Sequence, residues 1–140
     1  MELYTSVSYE LSERLTKRYS TSFSLSSRLF DRSIRRHIYA IYGLVRIADE
    51  IVDTYRGSDS LERLNNLEAE VARAMEAQYS ANPIVHAYAQ TARQFAIDSS
   101  LLMAFFESMR MDIDKQSFTK KQYDAYIYGS AEVIGLMCAR

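Results

Sequence analysis

One proline and four glycines among 140 residues limit the folds open to this chain more than any other feature of its sequence. Glycine and proline are the residues that most often form turns, so a chain this poor in them has few turns. Ala, Leu, Met, Glu and Arg, which favour helices, are plentiful. The sequence therefore predicts an all-α fold.

Apolar residues recur every three or four positions through most of the chain and predict about six helices. The predicted ranges are 3–18, 32–56, 61–79, 83–97, 99–114 and 120–140. The first helix carries an apolar stripe made of Leu3, Val7, Leu11 and Leu15. Asn82 followed by Pro83 supplies an N-cap and a first residue for the fourth helix, and Asp98 supplies an N-cap for the fifth. The serine-rich segment 19–30 predicts a break between helices or a short irregular helix.

Charge and cysteine content argue against several classes of protein. A net charge of −1 gives no reason to expect nucleic acid as a partner. Cys138 is the only cysteine and cannot form a disulfide within the chain, which favours a reducing, cytoplasmic setting. No run of eighteen apolar residues is present, so the sequence predicts no membrane-spanning helix.

The segment RIADEIVDTYRG, residues 46–57, places two aspartates four positions apart. On an α-helix, Asp49 and Asp53 lie one turn apart on a face that also carries Tyr42 and Arg46. Like charges at this spacing repel and destabilise a bare helix by about 0.2–0.5 kcal/mol. Two interpretations stay open. Either arginines neutralise the aspartates on a solvated face, or oxygen ligands bind a hard cation such as Mg²⁺ together with a phosphate-bearing ligand.

Three segments, read in order, carry a resemblance to a known family. They are YSTSFSLSSRLF (19–30), AIYGLVRIADEIVD (40–53) and MRMDIDKQSFTKKQYDAYIYGSAEVIGLM (109–137). Together they resemble the N-terminal half of the squalene/phytoene synthases, which are head-to-head prenyltransferases. The resemblance covers most of the chain.

The resemblance implies an all-α isoprenoid-synthase bundle around a central cavity, and the reaction of that family. Its members join two C15 or C20 allylic diphosphates through a cyclopropyl intermediate, with Mg²⁺ held by two aspartate-rich motifs. Mg²⁺ is therefore the expected cofactor, with Mn²⁺ as a substitute, and farnesyl or geranylgeranyl diphosphate is the expected substrate. NADPH is expected only of a squalene-synthase-like enzyme, and no residue here indicates a nucleotide site.

The resemblance also implies roles for individual residues. Asp49 and Asp53 match the first aspartate-rich motif as Mg²⁺ ligands. Tyr126 matches the tyrosine associated with the cyclopropyl intermediate, and these three are the expected catalytic residues. The expected substrate-binding residues are Ser20, Ser22, Phe23, Tyr42, Arg46, Ser130, Ala131, Ile134 and Gly135. Helix packing or capping is the alternative explanation for the serines, glycines and tyrosines among them.

The second aspartate-rich motif of the family is missing, because Asp49 and Asp53 form the only D-x-x-x-D in the sequence. The last predicted helix also has no stop signal at Arg140. Together these features predict that residues 1–140 are a truncated N-terminal portion of a single synthase domain, inactive alone. The alternative is a non-catalytic helical module, or one half of a split enzyme, acting through association with a partner chain.

Half of a helical bundle is expected to expose an apolar face, so self-association or pairing with a complementary chain is expected there. Because the expected substrates are lipids, the enzyme is expected to act at the inner surface of the membrane. The expected location is therefore cytoplasmic, with peripheral membrane contact.

Overall fold

A computed structural model of the chain describes residues 2–19, 32–55 and 57–114, and these residues form an all-α structure. The five α-helices are α1 (Glu2–Tyr19), α2 (Arg32–Asp49), α3 (Ser60–Ala77), α4 (Pro83–Gln94) and α5 (Ser99–Asp114). A π-helical segment, π1 (Glu50–Tyr55), continues directly from α2. The all-α prediction is confirmed. The count is five helices in the described part of the chain and not six, because the range 120–140 lies outside it.

In the described part of the chain, no helix combines the length and the apolar character needed to cross a lipid bilayer.

Two helix starts are fixed by side chains that the sequence marks as caps. The Asn82 side-chain oxygen accepts hydrogen bonds from the backbone N–H groups of Ile84 and Val85, at 3.0 and 3.3 Å. At the start of α5, the Asp98 carboxylate accepts from the N–H of Ser100 at 2.9 Å. Both caps satisfy N–H groups that a helix leaves without an internal partner. The local sequence therefore determines where α4 and α5 begin.

The helix α1 packs against α4 through its polar face, although its apolar periodicity predicts that the leucine stripe is buried. Its buried residues are Ser8, Tyr9, Ser12 and Thr16, whereas Leu3, Val7 and Leu11 are exposed. The hydroxyls of Ser8, Ser12 and Thr16 each donate to the carbonyl four residues earlier, so burying them leaves none unsatisfied. Their small size also permits close approach, since a Cβ added to Gly43 of α2 would lie 3.4 Å from the Ser12 Cβ.

The described residues divide into two compact units. Of these residues, unit 1 comprises 2–19, 32–47 and 69–96. Its core consists of apolar side chains that are at most 2% exposed, including Tyr39, Leu44, Val71, Val85 and Tyr88.

A buried polar network joins three helices of unit 1. The Thr91 Oγ1 of α4 lies 2.9 Å from the Tyr9 hydroxyl of α1 and 2.8 Å from the His37 Nδ1 of α2. His86, also fully buried, has its Nε2 2.9 Å from the Thr5 Oγ1. Buried polar groups need such partners, because leaving one unsatisfied costs about 1–3 kcal/mol. Both histidines therefore have a structural role in holding α1 and α2 on α4.

We expect the two buried histidines to make the free energy of unfolding depend on pH. Burial lowers the pKa of His37 below its ordinary value, and the charge of Arg36 lowers it further; burial also lowers the pKa of His86. Between the lowered pKa and the ordinary value of about 6.5, the unfolded chain binds more protons than the folded one. Stability is therefore expected to be constant above about pH 7 and to fall as the pH drops below 6.5.

Urea denaturation at a series of pH values, followed by circular dichroism, would measure this dependence. His37→Gln and His86→Gln are each expected to flatten the slope between about pH 7 and 5. The prediction is contradicted if both variants show the same dependence of the free energy of unfolding on pH as the parent chain.

Unit 2 comprises residues 48–55, 57–68 and 97–114 of the described part of the chain. Its core includes Val52 of π1, Leu64 and Leu67 of α3, and Phe105, Phe106 and Met109 of α5. The Arg110 guanidinium of α5 donates to the Asn65 Oδ1 at 2.9 Å and pairs with the Glu68 carboxylate of α3. The helix α5 also packs on π1, which contributes Val52 to the core of this unit.

The end of α4 stores local backbone strain. The helix ends at Gln94, earlier than the predicted end near residue 97, and no glycine closes it. Ala96 instead takes a φ of 50°, in the left-handed region, while its N–H donates to the Arg93 carbonyl at 3.3 Å. A residue with a Cβ pays about 1–2 kcal/mol for that conformation.

Ala96→Gly is therefore expected to raise the free energy of unfolding by about 0.5–1 kcal/mol, because glycine adopts the left-handed conformation without a steric penalty. The Ala96 side chain is exposed, so little packing is lost. The matched control is Ala72→Gly, an exposed position inside α3, where the same change should lower stability by about 1 kcal/mol. Thermal or urea denaturation would compare the two, and shifts of the same sign would contradict the prediction.

Candidate metal centre

The helix α2 has one apolar and one polar side, as its sequence predicts. Its buried side includes Ile41, Leu44, Val45 and Ala48, each at most 4% exposed, and Val52 continues it into π1. Of the residues predicted on the opposite face, Tyr42, Arg46 and Asp49 are half-buried and Asp53 is exposed. The residues that carry chemistry are therefore partly accessible, while the apolar side anchors the helix.

The two aspartates lie where α2 changes into π1. Asp49 is the last residue of α2, and Asp53 lies inside π1. The sequence predicts one α-helix through residue 56, so positions calculated at 3.6 residues per turn do not apply beyond Asp49. In a π-helix each N–H bonds to the carbonyl five residues earlier, so a turn holds more residues. Four π-helical residues make slightly less than one full turn. Asp53 is therefore placed close to the same side of the helix as Asp49.

This π-helical segment is the feature of the candidate site that the sequence does not reveal. Such segments are rare and occur frequently at functional sites, because they change the direction of side chains within an otherwise regular helix. Periodicity could not have located it, since Val52 continues the buried side in either geometry. The segment coincides with the second aspartate of the pair.

Hydrogen bonds connect π1 to the start of α3. The Ser60 hydroxyl donates to the Ile51 carbonyl at 3.4 Å. The Tyr55 hydroxyl donates to the Asp59 Oδ1 at 2.7 Å, and the Arg63 Nε donates to the Asp59 Oδ2 at 2.8 Å. These hydrogen bonds, that from Tyr55 above all, hold the pKa of the Asp59 carboxyl below its usual range. Asp59 is therefore an acidic residue close in sequence to the aspartate pair whose role is structural, because it joins Tyr55 of π1 to Arg63 of α3.

The chemistry of the available donors fits a hard divalent cation. Among the described residues, no three His, Cys, Asp or Glu side chains come together as a group that could hold a metal ion. Mg²⁺ takes one or two carboxylates from a protein and completes its shell with water and substrate phosphate. A structural zinc site would need four Cys or His ligands. Asp49 and Asp53 can therefore provide part of a magnesium shell and not an enclosed site.

Arg46 and Tyr42 precede the aspartates on α2. The guanidinium carbon of Arg46 lies 4.7 Å from the centre of the Tyr19 ring, a distance typical of a cation–π contact. The contact restricts the orientation of the guanidinium plane. A planar guanidinium held in this way is suited to binding phosphate oxygens.

The remaining predicted site residues lie outside the described residues, and their roles stay predictions. They are Ser20, Ser22, Phe23, Tyr126, Ser130, Ala131, Ile134 and Gly135.

A family model for squalene/phytoene synthase matches residues 16–140, a range that includes both aspartates. The chain belongs to the squalene/phytoene synthase family. All three segments that carry the resemblance in the sequence fall inside this match.

Curated members of the squalene/phytoene synthase family resemble the chain over nearly its whole length. A phytoene synthase from Arthrospira platensis is 31% identical over 132 residues, covering 93% of this chain and 42% of that protein. A 4,4'-diapophytoene synthase from Staphylococcus haemolyticus is 27% identical over 134 residues, covering 92% and 46%. The chain spans less than half the length of these curated relatives.

Solved structures of squalene/phytoene synthases share the fold. A dehydrosqualene synthase crystallised with a ligand superposes with a TM-score of 0.80 at 24% identity, over 96% of this chain and 47% of that one. The squalene synthase HpnC from Alicyclobacillus acidocaldarius gives a TM-score of 0.80 at 25% identity, over 95% and 50%. The all-α arrangement predicted from the sequence is thus the helical fold of the family.

Proposed function

We propose that this chain supplies the first metal–diphosphate site, and part of the cavity wall, of an enzyme that condenses two allylic prenyl diphosphates head to head. The observation that carries the proposal is the aspartate pair at the junction of α2 and π1, inside the family match. The relatives support the same class of reaction, because they are named as phytoene and 4,4'-diapophytoene synthases.

In this proposal Asp49 and Asp53 are the Mg²⁺ ligands, with Mn²⁺ as a substitute. Asp53 is exposed, so it can bind a cation that keeps most of its water. The repulsion between the two carboxylates is relieved when a cation binds between them. Bound Mg²⁺ would stabilise the negative charge that develops on the departing diphosphate.

Arg46 contacts the diphosphate. Its guanidinium offers several N–H donors in one plane, which match two phosphate oxygens at once. Because the Tyr19 ring already restricts the guanidinium, less conformational entropy is lost when an anion binds. Tyr42, half-buried on the same helix, lines the cavity.

The residues outside the described part of the chain complete the proposed roles. Ser20, Ser22 and Phe23 approach the diphosphate of one substrate, and Tyr126 acts at the cyclopropyl intermediate. Ile134 lines the channel for an isoprenoid chain. The small residues beside it leave room for that chain, and they are Ser130, Ala131 and Gly135.

The 140-residue chain by itself is expected to show no turnover of farnesyl or geranylgeranyl diphosphate. One aspartate pair provides ligands on one side of a metal–diphosphate cluster only, and the sequence contains no second D-x-x-x-D. Labelled substrates incubated with the chain and Mg²⁺, followed by chromatography of the extracted lipids, would measure this. Turnover by the chain alone would overturn the requirement for a second motif.

Product analysis with an extended polypeptide tests the proposed function itself. The extension is the coding sequence beyond codon 140, or a co-expressed second half. A head-to-head hydrocarbon that forms only with Mg²⁺ or Mn²⁺ is expected, and adding NADPH distinguishes a reductive squalene-like product from a phytoene-like one. Absence of any such product from both labelled diphosphates would refute the proposal.

A second candidate is one half of a split enzyme, or a non-catalytic helical module, that acts by association with another chain. The exposed leucine stripe of α1 favours it, because apolar faces of this kind often mark contacts between chains. The coding sequence past codon 140 distinguishes the candidates. An in-frame second D-x-x-x-D on a helical stretch favours a single-chain enzyme, and a stop codon favours the split enzyme or the module.

A further inference from the structure

Tyr19, the last residue of α1, has no role among the site residues that the sequence predicts. Its side chain is 52% exposed, and the guanidinium carbon of Arg46 lies over its ring, 4.7 Å from the ring centre. Arg46 lies in the last turn of α2, and both residues belong to unit 1. The contact therefore joins the C-terminal end of α1 to the C-terminal end of α2.

The polar face of α1 brings this ring to α2. Ser12, Thr16 and Tyr19 follow one another at helical spacing and share that face. Ser12 and Thr16 are fully buried, and a Cβ added to Gly43 of α2 would lie 3.4 Å from the Ser12 Cβ. Large side chains on this face would hold the two helices further apart. The small residues of α1 therefore place the Tyr19 ring within reach of Arg46.

An aromatic ring restrains a guanidinium without neutralising it, because the attraction comes from the negative face of an uncharged ring. A carboxylate in the place of the Tyr19 ring would also hold Arg46. Its charge, however, would cancel the positive charge that an anionic ligand needs, and it would repel a diphosphate. Arginine is also among the side chains that lose most rotamer freedom when they are ordered, so restraint in advance lowers the cost of binding. A ring beside Arg46 therefore favours the binding of an anion.

We propose that Tyr19 is a positioning residue, which acts through Arg46 and holds its guanidinium ready for a diphosphate. The inference rests on the proposed function, in which Arg46 contacts that group. The ring is sufficient for this role, and the hydroxyl is not required. Tyr19 also directly precedes Ser20 in the sequence, at the start of the segment predicted to approach the diphosphate.

The contact itself is tested in the 140-residue chain by nuclear magnetic resonance. Protons that lie over an aromatic ring are shifted upfield by its ring current. The Arg46 side-chain signals, identified by their absence from Arg46→Met, should therefore move downfield in Tyr19→Leu and stay in place in Tyr19→Phe. Arg46 signals that Tyr19→Leu leaves unmoved would refute the proposal, whatever the outcome for the proposed function.

Titration of the same chain with inorganic diphosphate and Mg²⁺, between about 10 μM and 1 mM, measures the consequence for binding. Tyr19→Leu is expected to weaken the affinity by about two- to fivefold, which is the contribution of one exposed cation–π contact. Tyr19→Phe should restore the affinity of the parent chain. The matched control is Tyr79→Leu, which removes a side chain that is 49% exposed in the same unit and should leave the affinity unchanged. Equal losses in Tyr19→Leu and Tyr79→Leu, or no recovery in Tyr19→Phe, would contradict the proposal.

A double variant shows whether Tyr19 acts through Arg46. Arg46→Met should remove most of the affinity for diphosphate, and Tyr19→Leu added to it should cause no further loss. A further loss of about two- to fivefold would mean that Tyr19 contacts the diphosphate itself, and the positioning role would be wrong.

The same titrations separate this inference from the proposed function. If Arg46→Met loses affinity and Tyr19→Leu does not, only the positioning role fails. If Arg46→Met binds diphosphate as tightly as the parent chain, or the parent chain binds none in this range, the proposed role of Arg46 fails and the inference fails with it.

Discussion

Asp49→Asn and Asp53→Asn are each expected to lower Mg²⁺-dependent condensation of prenyl diphosphates by about a hundredfold or more in an active enzyme that contains this chain. Mutation of residues that only support a metal ligand already costs about 10–100-fold in affinity or activity, so losing a ligand should cost at least as much. Asparagine keeps the shape of aspartate and removes the charge that binds the cation. Initial rates measured over a range of Mg²⁺ concentrations would show both a lower maximum and a higher Mg²⁺ requirement.

The free energy of unfolding is not expected to fall together with the activity. Removing one of two like charges on a helix relieves repulsion of about 0.2–0.5 kcal/mol, and Asp53 is exposed and outside any core. The free energy of unfolding of Asp53→Asn should therefore be unchanged or slightly raised. This combination separates a metal ligand from a residue whose loss inactivates the enzyme through misfolding.

Asp59→Asn is the matched control for the aspartate pair. This carboxylate is bound by Tyr55 and Arg63, next to π1 and on the same unit, but it is not part of the D-x-x-x-D. The substitution should lower stability slightly and leave the Mg²⁺ dependence intact. Near-normal turnover in both Asp49→Asn and Asp53→Asn, or equal losses in Asp59→Asn, would overturn the metal assignment.

Phe106→Ala is expected to lower the free energy of unfolding by about 3–5 kcal/mol. Phe105 and Phe106 are both fully buried in unit 2, with ring centres 5.5 Å apart at an interplanar angle of 70°. Truncation removes a large apolar side chain, leaves a cavity and breaks this edge-to-face contact. Because domains are stable by only about 5–15 kcal/mol, the variant should lose a large share of its free energy of unfolding.

Met103→Ala on the same helix is the control for Phe106→Ala. Its side chain is 63% exposed, so its loss should change stability by less than about 0.5 kcal/mol. Urea denaturation monitored by circular dichroism would compare the two variants. A loss below about 1 kcal/mol for Phe106→Ala would mean that the core of unit 2 can repack around the missing ring.

Features that depend on a few neighbouring residues were predictable from the sequence. Asn82 before Pro83, and Asp98 before α5, supply caps whose hydrogen bonds are made within three residues along the chain. The apolar side of α2 is also correctly predicted, because residues such as Leu44 and Ala48 recur with the helical period. Asp49 and Asp53 could be identified as candidates because residues four apart on a helix lie on the same face.

The packing of α1 is where sequence periodicity gives the wrong answer. Hydrophobicity alone predicts that Leu3, Val7 and Leu11 are buried. The structure buries Ser8 and Ser12 instead, because small side chains allow close packing against α2 and α4, and their hydroxyls bond to carbonyls of α1 itself. Such hydroxyls cost little to bury, and nothing in a hydropathy pattern reports this.

The sequence by itself determined the all-α class, the starts of α4 and α5 and the aspartate pair, since each follows from interactions between residues close in the chain. Only the tertiary structure decided which face of α1 is buried and where α2 changes into π1. Both depend on contacts between distant segments, such as the Ser60 hydroxyl on the Ile51 carbonyl and the packing of α5 on π1. Local propensity specifies a helix, but the elements packed around it select its buried face and its exact hydrogen-bond register.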